Sequence, residues 1–150
     1  MDAGPRKRRN AVKKNSGLEA EKEFLQMLKS AGFWAHKLKE NKNGAPFDII
    51  AAINGFAFAF EVKNIARGTN FPLARVEDNQ INGFRVWDRA NNLRGYFAFR
   101  TTLKGWRCWE SWDICYRCKS QHLYGSSIDV SATPGGVPWE RLLERYGLKS

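Results

Sequence analysis

The chain has 150 residues, 43% of them hydrophobic and 13% aromatic, enough apolar material for one domain with a sizeable core, which excludes a wholly disordered protein. A formal net charge of +10 and a pI near 9.8 favour polyanionic partners such as nucleic acid. No apolar run is long enough to span a membrane and no basic start leads into a secretory apolar segment, so a cytoplasmic location is expected, in a bacterial, archaeal or virus-infected cell.

Residues 1–15 read as a basic arm, in which Arg6, Lys7, Arg8, Arg9, Lys13 and Lys14 stand against Asp2 alone. So little apolar content predicts disorder, with sequence-independent phosphate contacts that weaken with salt. Ser16-Gly17-Leu18-Glu19 has the form of a capping box and predicts a helix from about Gly17, stopped by Gly32. Leu18, Phe24, Leu25 and Leu28 form its apolar stripe, and Glu21 falls on that stripe. Buried acids are rarely unpaired, so Glu21 is expected to meet a shared cation or a basic side chain, with the helix laid on the small-residue face of the hairpin described next. Phe33 to Leu38 predicts a strand, and Lys39 to Gly44 a polar loop.

The stretch FDIIAAINGFAFAFEVK, from Phe47 to Lys63, holds Asn54-Gly55 between two apolar runs, the pair that a type I′ hairpin turn requires. If Ile53 faces Phe56, antiparallel register places Asp48 opposite Glu61. A period of two then sends Asp48, Glu61 and Lys63 to one face, beside Ile50, Ala52, Ala57 and Ala59. Phe47, Ile49, Ile53, Phe56, Phe58, Phe60 and Val62 take the other face. Opposed Cβ atoms about 5 Å apart allow two carboxylates to grip one hard cation such as Mg²⁺, with Mn²⁺ as a substitute. Pro46, Asp48, Glu61 and Lys63 thus spell the P-x-D…E-x-K pattern of a metal-dependent nuclease centre. A plain surface ion pair is the alternative.

Asn64 to Ala74, with Arg67 and Gly68, reads as a loop able to meet the phosphate backbone. A second helix follows from about Val76 to Asn91, with Ile81, Phe84 and Trp87 on its apolar side and Gly83 as a weak point. Gly95 to Thr101 and Trp106 to Trp112 predict two strands whose tryptophans suit core or dimer packing better than base stacking. Asp113 is expected to cap a short helix carrying Ile114, Cys115 and Cys118. Cys108, Cys115, Cys118 and His122 match no paired zinc-knuckle spacing and read as core cysteines, with a zinc site as the alternative. Pro138 opens a closing helix with Trp139, Leu142, Leu143 and Tyr146. The order α-β-β-β-α-β-β-α predicts one mixed sheet flanked by helices, an α/β domain over residues 16–150.

The run GLEAEKEFLQMLKSAGFWAHK from Gly17 to Lys37, followed by PFDII and FEVK, resembles the archaeal Hjc-type Holliday-junction resolvases. FEVKNIARGTNFPLARVEDNQI, from Phe60 to Ile81, resembles the bacterial RecU-type resolvases through Phe71-Pro72-Leu73 and Gln80. Both groups belong to the PD-(D/E)xK nuclease superfamily, and the likeness covers Asn15 to about Ile81. It implies a restriction-endonuclease-like fold in which Glu21, Asp48 and Glu61 bind metal or metal-held water, Lys63 is the catalytic lysine and Gln80 lies beside the site. Arg67, Phe71 and Gln80 are then expected on the DNA path. Glu77 and Asn79 stand where RecU-type chains carry histidines, and only Leu38 to Ala45 separate the first strand from Pro46, leaving no room for a RecU stalk.

The resulting expectation is a Mg²⁺-dependent endonuclease that resolves four-way DNA junctions by symmetric nicks, acting as a homodimer because two opposed strands need equivalent sites. The alternatives are a restriction or repair endonuclease on linear duplex, and a non-catalytic DNA-binding module.

Overall fold

Asn54 and Gly55 turn the chain at φ of 51° and 83°, the left-handed pair expected of a type I′ hairpin. Ile53 faces Phe56, and the register runs out through Ala51↔Phe58 to Ile49↔Phe60. In the computed structural model, which describes residues 4–39, 44–90, 92 and 94–148 (backbone alone for 4–15), this hairpin lies within a mixed six-stranded sheet.

In chain order the elements are α1 (Gly4–Ser30), β1 (Trp34–Lys37), β2 (Ile49–Ile53), β3 (Phe56–Asn64), β4 (Asn70–Pro72), a 3-10 turn (Leu73–Arg75), α2 (Asp78–Arg89), β5 (Gly95–Arg100), β6 (Trp106–Glu110), α3 (Ser111–Lys119), α4 (Gln121–Tyr124), β7 (Ser127–Asp129), β8 (Gly136–Pro138) and α5 (Trp139–Arg145). The sheet order is β1-β2-β3-β5-β6-β8. Among the described residues only β3 and β5 pair in parallel, which demands a crossover, and the segment from β4 through α2 supplies it. β4 and β7 form a separate two-stranded ribbon.

Alternation along β3 builds two cores. Phe58, Phe60 and Val62 pack with Ala20, Phe24 and Leu28 of α1 and with Trp139, Leu142 and Leu143 of α5. On the opposite face Ala59 joins Phe84 of α2, Phe97 and Phe99 of β5, and Ile114 of α3. The expected α/β class, a mixed sheet flanked by helices in a single domain, is therefore what the chain forms.

Several local expectations are corrected. α1 begins at Gly4, so Ser16 lies inside the helix and is not its N-cap, and the segment read as a disordered arm is helical in backbone from Gly4 onward. The buried stripe is Ala20, Phe24 and Leu28 at a spacing of four, while Leu18 is 40% exposed. That stripe lays α1 on the phenylalanine face of the hairpin, not on its small-residue face, because bulky rings offer far more apolar area to bury than alanines. Phe47 leaves the face expected for it, and stacks on Phe84 in the second core. Asp113 caps nothing: it lies within α3 and pairs with Arg117 at 2.8 Å.

Gly83 is where sequence propensity misleads. A Cβ there would lie 2.4 Å from Pro46 Cβ and 2.8 Å from the Pro46 carbonyl oxygen, so α2 touches the loop leading into Asp48 only because position 83 is bare. Gly83→Ala is expected to lower stability by about 1–3 kcal/mol in chemical denaturation, although alanine normally favours a helix by about 1 kcal/mol. A gain in stability would contradict this contact.

Candidate active site

β2 begins only at Ile49, and the antiparallel ladder reaches no further than Ile49↔Phe60, one step short of the expected Asp48–Glu61 pair. Asp48 N–H still donates to the Phe60 carbonyl at 3.0 Å. Its side chain then turns inward, and Oδ2 accepts the Val62 N–H at 2.8 Å. Asp48 is thus bound to the edge of β3 that β2 leaves bare, rather than standing upright on a sheet face. Through this gap Glu21 of α1 and Glu61 of β3, which start on opposite sides of the sheet, meet Asp48. All three line one polar cleft with Lys63, Gln80 and Arg75.

Crowding of acids shows in their ionisation. Burial, followed by the charges of Glu61 and Glu21, pushes the Asp48 carboxyl up to about 9, against the opposing Val62 N–H bond. Burial also raises Glu61, to about 7, with Lys63 opposing. Lys63 Nζ sits 3.3 Å from Glu61 Oε2 and donates to the Arg75 carbonyl at 3.0 Å. Gln80, buried at the third position of α2, donates through Nε2 to the same Glu61 oxygen at 2.8 Å and accepts the Glu77 N–H through Oε1 at 3.0 Å. The amide therefore ties the first turn of α2 to the acid. Glu21 Oε2 is buried without an aligned hydrogen bond, in ion-pair contact with Lys37 Nζ at 2.7 Å.

These residues fit a hard divalent cation. The donors are carboxylate oxygens, burial and crowding raise two of the acids, and one oxygen of the third lacks an aligned hydrogen bond. As they stand, no three Asp, Glu, His or Cys side chains among the described residues converge as a metal-ligating group. Lysine ammonium groups hold the two outer acids, Glu21 and Glu61.

The remaining expected site residues divide. Gln80 lies at the centre. Phe71 does not reach a DNA path: it is fully buried, with its ring 4.8 Å from that of Phe99. Phe71→Ala is accordingly expected to cost about 3–5 kcal/mol of stability, measured by denaturation, as loss of a core ring does. Arg67 is exposed on the loop after β3 and does not line the cleft. The side chains of Arg6, Lys7, Arg8, Arg9, Lys13 and Lys14 lie outside the described part, as do residues 40–43 of the polar loop. Cys108 packs in the α1 core whereas Cys115 and Cys118 pack in the α2 core across the sheet, and His122 is exposed, so they assemble no zinc site. Trp109 is buried and donates to the Val130 carbonyl, while Trp112 is 56% exposed.

Sequence reasoning missed Lys37, Arg75 and Asn79. Lys37 shares strand parity with the half-buried Ala35, the one signal that could have aimed it at α1. Arg75 contributes its main-chain oxygen, to which no side-chain pattern points. Asn79 Nδ2 donates to the Ala45 carbonyl at 2.8 Å and anchors the loop before Pro46. A more apolar groove between α2 and α3, bordered by Trp112 and Tyr116, carries Asp88 as its single acid and no such cluster.

No family model matches this chain, and the comparison with curated proteins found no match. Among solved structures it is similar to the 1.6 Å structure of Hjc from Archaeoglobus fulgidus, described as a Holliday junction resolvase from an archaeal hyperthermophile. The TM-score is 0.52 at 22% identity, over 64% of this chain and 78% of that one. The two share a fold. Among the described residues no helix is long and apolar enough to cross a membrane.

Proposed function

We propose that this chain is a Mg²⁺-dependent endonuclease that resolves four-way DNA junctions by paired symmetric nicks, working as a homodimer. The observation that carries the proposal is the meeting of Glu21, Asp48 and Glu61 with Lys63 at the bare edge of β3. The fold shared with an archaeal junction resolvase favours a branched substrate over linear duplex. The net charge of +10 suits a polyanion.

Asp48 and Glu61 would hold the ion directly, and Glu21 would hold one of its waters. When bound, Mg²⁺ supplies Lewis-acid stabilisation of phosphate oxygens and a water acidic enough to attack phosphorus. The protein's own groups position and neutralise. Gln80 fixes the rotamer of Glu61 through Oε2. Lys63 Nζ has three donors, two of them spent on Glu61 and the Arg75 carbonyl, and the third is free for a non-bridging phosphate oxygen. There the ammonium offsets negative charge as it grows. Arg67 and the basic residues of 1–15 would add phosphate contacts around the site.

The test is side-by-side cleavage of a synthetic four-way junction and a linear duplex of the same arm sequence, with Mg²⁺ and with EDTA. Symmetric nicks in two opposed strands of the junction, dependent on Mg²⁺ and weak or absent on the duplex, are expected. Equal cutting of both substrates would make the chain a general duplex endonuclease instead. Tight junction binding with no nicking in Mg²⁺ or Mn²⁺ would make it a binding module.

A further inference from the structure

Two lysines flank the acidic cluster, and they are held differently. Lys63 is 11% exposed and anchored twice, to Glu61 and to the Arg75 carbonyl. Lys37 is 38% exposed, and the one ion pair it makes among the described residues is with Glu21, at 2.7 Å. Strand register aims Lys37 there: it pairs with Ile49, and the next residue, Leu38, donates its N–H to the Asp48 carbonyl at 2.8 Å. Alternation along β1 turns Lys37 with Ala35 toward α1, so its ammonium arrives beside Glu21 from the same side of the sheet. The Glu21 oxygen that it touches is buried and accepts no aligned hydrogen bond among the described residues, so the Lys37 ammonium is what neutralises it.

We propose that Lys37 is a built-in counter-cation, which neutralises Glu21 while the cleft is empty and competes with the divalent ion for it, swinging out to solvent when the ion enters. This rests on the reading of the cleft as a metal-dependent nuclease centre. Glu21 can turn its charge to the ion only by giving up Lys37, and an ammonium left in place repels a doubly charged ion a few ångströms away. At a partly exposed site, giving up that ion pair corresponds to about tenfold in affinity. The device keeps three acids from facing one another unneutralised, at the cost of weaker ion binding, and the exposed stem of Lys37 gives it a way out. Lys37 is thereby a positioning residue: it acts on the ion through Glu21.

The test is Mn²⁺ binding to the full chain without DNA, followed by the electron paramagnetic resonance signal of free Mn²⁺. Lys37→Met is expected to bind Mn²⁺ about tenfold more tightly than the parent, and Lys37→Arg within about threefold of it. Adding Lys37→Met to a Glu21→Gln background should bring no further gain. A merely structural role for Lys37 would loosen the cleft and weaken binding. Unchanged or weaker binding by Lys37→Met, with Asp48→Asn still abolishing it, would overturn the role of Lys37 and leave the metal centre standing. Binding insensitive to Asp48→Asn would overturn the metal centre itself. Should Lys37→Met not fold, the ¹⁵N signal of the Lys37 ammonium in the parent chain serves instead: Mg²⁺ saturation is expected to move it to the position of a solvent-exposed lysine, and no movement would overturn the proposal.

Discussion

Asp48→Asn is expected to lower Mg²⁺-dependent nicking of a four-way junction by about three orders of magnitude, while junction binding stays within a few-fold of the parent. The amide preserves the size of the side chain, and its oxygen can still accept the Val62 N–H that Asp48 Oδ2 accepts at 2.8 Å. The edge of β3 therefore keeps its partner. What disappears is the ionisable carboxyl at the point where Glu21 and Glu61 meet, the group that would give up its proton to a divalent ion, and with it the strongest reason for the ion to reside there. Single-turnover cleavage and gel-shift binding in EDTA separate the two effects. Parallel loss of binding and cleavage would show that Asp48 holds the fold or the DNA, not the ion.

The second large effect concerns stability against pH. Asp48, raised by burial and its acidic neighbours, and Glu61, raised chiefly by burial, hold protons in the folded state that the unfolded chain releases from about pH 4 upward. The unfolded state then binds fewer protons, so this pair's contribution to stability is present below the unfolded values and is lost as pH climbs toward about 9. In EDTA the denaturation midpoint is expected to fall from pH 5 to pH 9, and Asp48→Asn to flatten that fall. At pH 8, Mg²⁺ at a hundred times its dissociation constant should restore about 2.7 kcal/mol. A metal-free profile that rises across this window, or a midpoint indifferent to Mg²⁺, would contradict the crowding of acids in the cleft.

How much of this was legible in the sequence depended on whether a local rule was decisive. Asn54-Gly55 allows one turn and one register, so the hairpin and the neighbourhood of Asp48 and Glu61 followed directly. Gln80 lines the cleft and bonds Glu61, and Glu21 stands out in the sequence as an acid on an apolar helix stripe. The direction from which Glu21 arrives is not legible, because β2 begins one residue late, after Asp48, and leaves the β3 edge bare there, and no periodicity records where a ladder stops. Gly83 looked like a helix defect and is a contact with Pro46. Phe71 looked like a family residue near DNA and is core, packed where β4 meets β7, a ribbon of three-residue strands too short to show a period of two. Lys37 carries no motif, and its significance appears only when β1 lies beside β2 with α1 above them.

The most direct measurement is the anomalous scattering of Mn²⁺ soaked into crystals of the chain. The account predicts a peak within direct coordination distance, about 2.0–2.3 Å, of carboxylate oxygens of both Asp48 and Glu61, with Glu21 within reach of a water on the ion. Density for Mn²⁺ at other surface acids, with this cleft empty and Lys63 still paired to Glu61, would contradict it.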